Sequence, residues 1–158
     1  MKYYKIAFWS TITGGILMYL LMIRVGYVWS DEAYTFALIK HSFSDICVIT
    51  AADVHPPLYY ILLKAFILPF DYSLLAAKLF SIVPFVLILI IGGIQMRMLF
   101  NEKMSLVFMV LFLLSPFLLK YAVEIRMYSL ASLFVFINAI YAYRCYKKIL
   151  IKIGVFLY

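Results

Sequence analysis

Charge is what this chain has least of: 13% of its 158 residues are Asp, Glu, Lys or Arg, against about 25% in a soluble globular domain. Acidic residues are scarcest, seven against fourteen basic ones. Cysteine is nearly missing too. Cys47 and Cys145 stand far apart, with no CxxC pair and no Cys/His cluster, which excludes a disulfide framework and a zinc-finger type of site. There is no internal repeat and no low-complexity tract. No small-x-small cleavage site follows the first apolar run, only Ile23-Arg24-Val25-Gly26-Tyr27, so a retained signal anchor is expected rather than a cleaved leader.

What fills the chain instead is hydrocarbon. Hydrophobic residues make up 68% and aromatics 19%, with a mean hydropathy of +1.07. This composition predicts an all-α integral membrane protein with room for roughly four or five helices of about 20 residues. A net charge of +7 would suggest nucleic acid in a soluble chain. Here the basic residues sit at the ends of apolar runs, where they set topology and meet lipid headgroups. The expected partners are therefore membrane lipids and not nucleic acid.

Four runs are long enough, or nearly so, to cross a bilayer: residues 6–23, 74–96, 104–119 and 127–143. A fifth, 56–70, reaches about 22 Å at 1.5 Å per residue, short of a ~30 Å hydrocarbon core. It is expected as an interfacial helix within an outer loop, 24–73. With the N-terminus inside, eight basic residues fall on the inner face and six on the outer, a weak positive-inside bias. Six of the seven acids fall outside, with Glu102 alone inside. The four-span arrangement keeps every polar constellation on one face. Ile149–Tyr158 reads as a fifth span beginning, so the 158 residues are expected to be one membrane domain, C-terminally truncated from a larger protein.

Carboxylates near a bilayer are costly unless wet or paired, so clustered ones mark candidate sites. Asp31 and Glu32 follow Trp29-Ser30. Ser30 or Asp31 can cap a helix over 33–39, or the acids can act as a base toward a hydroxyl or bind a divalent cation. In Asp53-Val54-His55-Pro56-Pro57, the proline pushes His55 into extended geometry. Alternation then sets Asp53 and His55 side by side, suited to phosphate, metal or proton relay, or to a plain hydrogen-bonded turn. Glu124-Ile125-Arg126 is either a salt-bridged helix start or a phosphate grip through the guanidinium fork. Lys78 and Lys120 add charge nearby. Lys40, His41 and Lys64 are expected to be solvated or snorkelling. Asp31, Glu32 and Asp53 are the candidate metal ligands, without diagnostic spacing.

Three segments in order, Trp29-Ser30-Asp31-Glu32-Ala33-Tyr34-Thr35, Asp53-Val54-His55-Pro56-Pro57-Leu58-Tyr59-Tyr60 and Tyr121-Ala122-Val123-Glu124-Ile125-Arg126-Met127-Tyr128-Ser129-Leu130, resemble a membrane-glycosyltransferase group. This is the protein O-mannosyltransferase and aminoarabinose-transferase superfamily of GT-C architecture, and most of all its bacterial glycosyltransferase family 39 members. The matches extend over nearly the whole chain. The resemblance implies the N-terminal part of a GT-C fold on the cell membrane, using a polyprenyl-phosphate-linked sugar donor on the outer face. It implies Asp31 as catalytic base, Glu32 as the second acid of that pair, and Asp53, His55, Glu124 and Arg126 as donor-phosphate or acceptor-binding residues. Relatives are longer, with about ten or more spans, so a partner chain supplying further spans is one expectation. The opposing expectation is a non-catalytic membrane protein: a degenerate remnant, a lipid-phosphate-binding subunit or a transporter component. A transporter needs ionisable residues at mid-membrane, whereas the charges here lie at run ends and in loops.

Overall fold

A computed structural model describes residues 2–23 and 28–152. The expected uncleaved junction at 24–27 and the stretch 153–158 of the expected fifth span lie outside the described residues. Everything described is helical or loop. In chain order the helices are α1 (Lys2–Leu21), α2 (Ser30–Ile39), α3 (Phe43–Ala51), α4 (Leu58–Ile67, tightening into a 3-10 turn over Leu68–Phe70), α5 (Leu74–Leu99), α6 (Glu102–Leu114), α7 (Pro116–Ala122) and α8 (Tyr128–Lys152).

α5 is the axis on which the rest is built. It contacts α1, α4, α6, α7 and α8, and with a mean hydropathy of 2.7 over its best window it is long and apolar enough to cross a membrane. α1 and α8 are long as well, but Lys5, Ser10, Thr11 and Thr13 in one, and Asn138, Arg144, Lys147 and Lys148 in the other, make them less apolar.

The expected continuous span 104–119 is corrected. The chain breaks at Ser115 and bends by 68° between α6 and α7. Pro116 is the cause. It has no N–H to continue the ladder of α6, and it forces Ser115 to extended angles, φ −71 and ψ 114. Pro116 then serves as the first residue of α7, where a missing N–H costs nothing. The expected helix over 56–70 starts later, at Leu58, with Pro57 as its N-cap. The expected span 127–143 runs on to Lys152 as α8.

Two apolar cores meet along α5. One joins α1, α5 and α6 through Tyr4, Phe8, Ile12, Tyr19, Phe85, Leu89 and Met109. With Gly15, the buried residues of α1 recur every three or four positions, the stripe of a helix packed on one side. The helices approach closely at Gly92 and Gly93, where an added Cβ would fall 2.2 Å from the Phe108 ring and 2.7 Å from Met109 Sδ. The second core joins α2, α3, α4 and the first turns of α5 through Leu38, Ile39, Ile46, Tyr60, Leu63, Ile67 and Ala77, with Ile125 from the α7–α8 loop. α3 is an element the hydropathy runs did not mark. Its cap is in the sequence nonetheless: Ser42 Oγ accepts from the Asp45 N–H at 3.1 Å and donates to the Asp45 carboxylate at 2.7 Å.

Lys78, one turn into α5, lies between Ala77 of the second core and Ile82 of the first. The polar site forms at that junction, at the end of the bundle where α1 finishes and α2, α4, α5 and α8 begin.

Candidate functional site

The first turn of α2 carries Asp31 and Glu32, and the two point to different fates. Glu32 is buried and fully engaged. Its Oε1 accepts from Lys78 Nζ at 3.3 Å and from the Ile125 N–H at 3.0 Å, and its Oε2 accepts from the Trp29 N–H at 3.4 Å. That last contact closes the N-terminus of α2, so the cap is made from Glu32 reaching back to Trp29 and not by Ser30 or Asp31, correcting the expectation. Helix α2 begins at Ser30, with both acids in the first turn favoured by its dipole. Lys78 also donates to the Val123 carbonyl at 3.4 Å. Three segments far apart in the chain are thus tied together by one buried carboxylate.

Asp31 is the open member of the pair. Its side chain is 44% exposed, and its Oδ2 lies 3.5 Å from Arg126 Nη2. Arg126 itself is buried. Besides Asp31 its Nη2 lies 3.3 Å from His55 Nε2, while its Nε has no partner among the described residues. On the far side of the imidazole, His55 Nδ1 is 2.9 Å from Asp53 Oδ2, the adjacency that the extended Asp-x-His segment leads one to expect. Asp53 accepts two further hydrogen bonds, from the Val54 N–H at 2.7 Å and from Tyr34 Oη at 2.9 Å. These bonds, the one to His55 first, hold its carboxyl down to about 2. A chain of groups, Asp31, Arg126, His55, Asp53 and Tyr34, therefore runs from the α7–α8 loop across α2 to the start of α4.

Behind this chain a cavity of about 520 Å³ opens between α1, α2, α5 and α7. Leu21, Met22 and Val123 make its apolar wall, and Trp29, Glu32, Lys78, Lys120 and Glu124 its polar side. Its size falls within the ~300–1,000 Å³ common to small-molecule sites. Lys120 is exposed, with its ammonium 5.9 Å from the Trp29 ring and 5.5 Å from that of Tyr121. Glu124 is buried, and neither of its oxygens is hydrogen-bonded among the described residues. Burial pushes its carboxyl up, with a smaller push from the Glu32 charge. Lys120, Arg126 and the Trp29 indole, which falls outside hydrogen-bond geometry, pull it partly back.

All six candidate residues thus gather at one end of the bundle, in two groups. Asp31, Asp53, His55 and Arg126 form the open chain; Glu32 and Glu124 face the cavity. The expected Glu124–Arg126 salt bridge is not made. The metal set is corrected: among the described residues no three His, Cys, Asp or Glu side chains converge on a common point. Asp31 pairs with Arg126, Glu32 with Lys78, and Asp53 with the His55 imidazole. Lys64 is corrected too, since it is buried and donates to the His41 carbonyl. Lys40 and His41 are exposed. One contributor went unmarked in the sequence. Tyr34, five residues after Trp29, is separated from Asp53 by 19 positions, and nothing local links them. Lys78, expected to add charge beside Arg126, is paired with Glu32. Compared with models of known protein families, with curated proteins and with solved structures, the chain matches none of them.

Proposed function

We propose that this chain is a membrane glycosyltransferase, or the N-terminal part of one, that moves a sugar from a polyprenyl-phosphate donor to an acceptor hydroxyl on the outer face of the cytoplasmic membrane. The observation that carries the reading is the position of Arg126. It bridges Asp31, 95 residues away, and His55, 71 residues away, so the three segments that resemble the protein O-mannosyltransferase and aminoarabinose-transferase superfamily meet on one guanidinium. Their order along the chain supports a GT-C arrangement with four crossings: α1, α5, the bent pair α6–α7, and α8. In that arrangement the N-terminus is cytoplasmic and α2 to α4 lie in the outer interface.

The chemistry follows from the groups present. The Asp31 carboxylate takes the proton of the acceptor hydroxyl. The acceptor oxygen forms a bond to the anomeric carbon as the bond from that carbon to the phosphate oxygen breaks, and the phosphate leaves with the electron pair. Arg126, whose buried Nε has no acceptor among the described residues, stabilises the developing phosphate charge, and His55, against its Nη2, positions it. Asp53 and Tyr34 orient the imidazole.

The test is transfer of radiolabelled sugar from polyprenyl-phosphate donors in membranes containing the chain, with Asp31→Asn beside it. Loss of the general base lowers turnover by about 10²–10⁴-fold at unchanged abundance and membrane insertion. Asp45→Asn, which touches only the cap of α3, leaves turnover within about twofold of the parent. Equal losses from the two changes, or membranes that transfer no sugar, overturn the reading and favour a non-catalytic lipid-phosphate-binding protein.

A further inference from the structure

Glu124 is a buried carboxylate that accepts no hydrogen bond from the described residues. Its residue exposure is 6%, it lines the 520 Å³ cavity, and neither oxygen is hydrogen-bonded among the described residues. A buried acceptor left unpaired costs free energy. Such a cost persists where a ligand later supplies the missing donors.

The surroundings select among donors. A cationic ligand is disfavoured, because Lys120 already stands over the Trp29 ring and Lys78 lines the same cavity. Neutral hydroxyls meet both oxygens without adding like charge. A carboxylate accepts from two neighbouring hydroxyls at once, and the Trp29 indole beside it offers an apolar face with a polar edge. A pyranose or furanose ring has just these two sides: hydroxyls in one direction and a C–H face in the other.

Resting on the glycosyltransferase reading, we infer that Glu124 is the group that reads the donor's sugar, accepting hydrogen bonds from two of its ring hydroxyls while the ring packs on Trp29. Glu124 is a specificity residue and takes no part in the proton transfer assigned to Asp31.

The experiment is a binding titration on the full chain in lipid nanodiscs, in a Trp9→Phe background. Trp29 is then the sole indole, since the chain has two tryptophans, and its fluorescence reports on the cavity. The probes are decaprenyl phosphate and its mannosyl, glucosyl and arabinosyl esters. The parent binds at least one glycosylated lipid tenfold or more tighter than bare decaprenyl phosphate. Glu124→Gln, isosteric but a poorer acceptor, loses that preference and keeps its affinity for the bare lipid. Its melting temperature equals or exceeds the parent's, because the amide replaces a buried carboxyl that has no hydrogen-bond partner among the described residues.

A preference that survives Glu124→Gln overturns this inference alone. So does a parent that binds bare and glycosylated lipids equally, which leaves a phosphate site without sugar reading. A fall in melting temperature overturns it as well, since the carboxylate then had a structural partner. A parent that binds none of the four lipids sinks the glycosyltransferase reading itself.

Discussion

Lys78 Nζ stands 3.3 Å from Glu32 Oε1, and the two side chains are 6% and 4% exposed. The pair joins α2 to α5 across 46 residues at the junction of the two cores. Removing one partner leaves the other charge buried and uncompensated, at a cost of about 3–5 kcal/mol. That is a large share of the ~5–15 kcal/mol that holds a typical domain together. Lys78→Met alone therefore lowers the melting temperature in detergent sharply. Combining it with Glu32→Gln, which keeps an acceptor for the Ile125 N–H, restores most of the loss. The result also separates the acid pair. Glu32 is expected to fail by unfolding and Asp31 by lost turnover, so a fully stable Lys78→Met variant would remove the structural role given to Glu32.

Two glycines make a paired test of the packing along α5. A methyl group on Gly92 would lie 2.2 Å from the Phe108 ring, while one on Gly14 meets nothing within 4 Å. Gly92→Ala is expected to destabilise by about 1–3 kcal/mol through overpacking. Gly14→Ala gains about 0.5–1 kcal/mol because alanine loses less backbone freedom in a helix. Thermal melts of the two variants should move in opposite directions. Equal shifts would mean that α5 and α6 are not pressed together at Gly92.

How much of this was legible beforehand depended on whether the signal was local. Asp53 and His55 meet because alternation along an extended segment requires it, and the proline at 56 enforces that geometry. The presence of α5 and α8 could be read from hydropathy, although α8 runs past the expected end to Lys152. The break at Ser115 was in plain view as Ser115-Pro116, but the apolar run flowed across it and masked the stop. α3 was missed for the opposite reason: it is short and half exposed, and only its Ser42-x-x-Asp45 cap announces it. The partners of Glu32 and Arg126 had no local signal at all. Lys78, Ile125 and His55 reach them from 46, 93 and 71 positions away, which only the folded chain brings together. The resemblance grouped those segments by order, and it did not separate a buried, engaged Glu32 from an open Asp31.

Asp53 carries a pH signature. Three hydrogen bonds, led by that of His55, lower its carboxyl from 3.8 to about 2. A folded-state value below the unfolded one means stability that is fully present above about pH 4 and lost as pH falls toward 2. Melting temperature of the parent should therefore drop through that window by more than that of Asp53→Asn, which has no carboxylate to protonate. The difference between the two curves should stop changing once pH falls below about 2. Parallel curves from pH 5 to 2 would show that the contacts of Asp53 with His55 and Tyr34 do not persist in solution.

The two cysteines test the crossing pattern without any engineering. Lys78, near the start of α5, touches the Val123 carbonyl, and Glu32 touches the Ile125 N–H. The chain that leaves this end along α5 has therefore returned to it by residue 123, whatever the bend between α6 and α7. At the other end, Arg144 of α8 donates to Gln95 near the far end of α5, so α8 runs back alongside it. Cys47 on α3 is exposed at the site end, and Cys145, next to Arg144, is half-buried at the opposite one. With the proposed orientation, a membrane-impermeant maleimide added to intact cells labels Cys47, and Cys145 reacts only after permeabilisation. Mass spectrometry of the two peptides reads both sites in one experiment. The reverse pattern would put the Asp31–Arg126–His55 chain on the cytoplasmic face and end the case for an outer-face donor. Labelling of both cysteines from outside would mean that α5 and α8 do not separate two compartments.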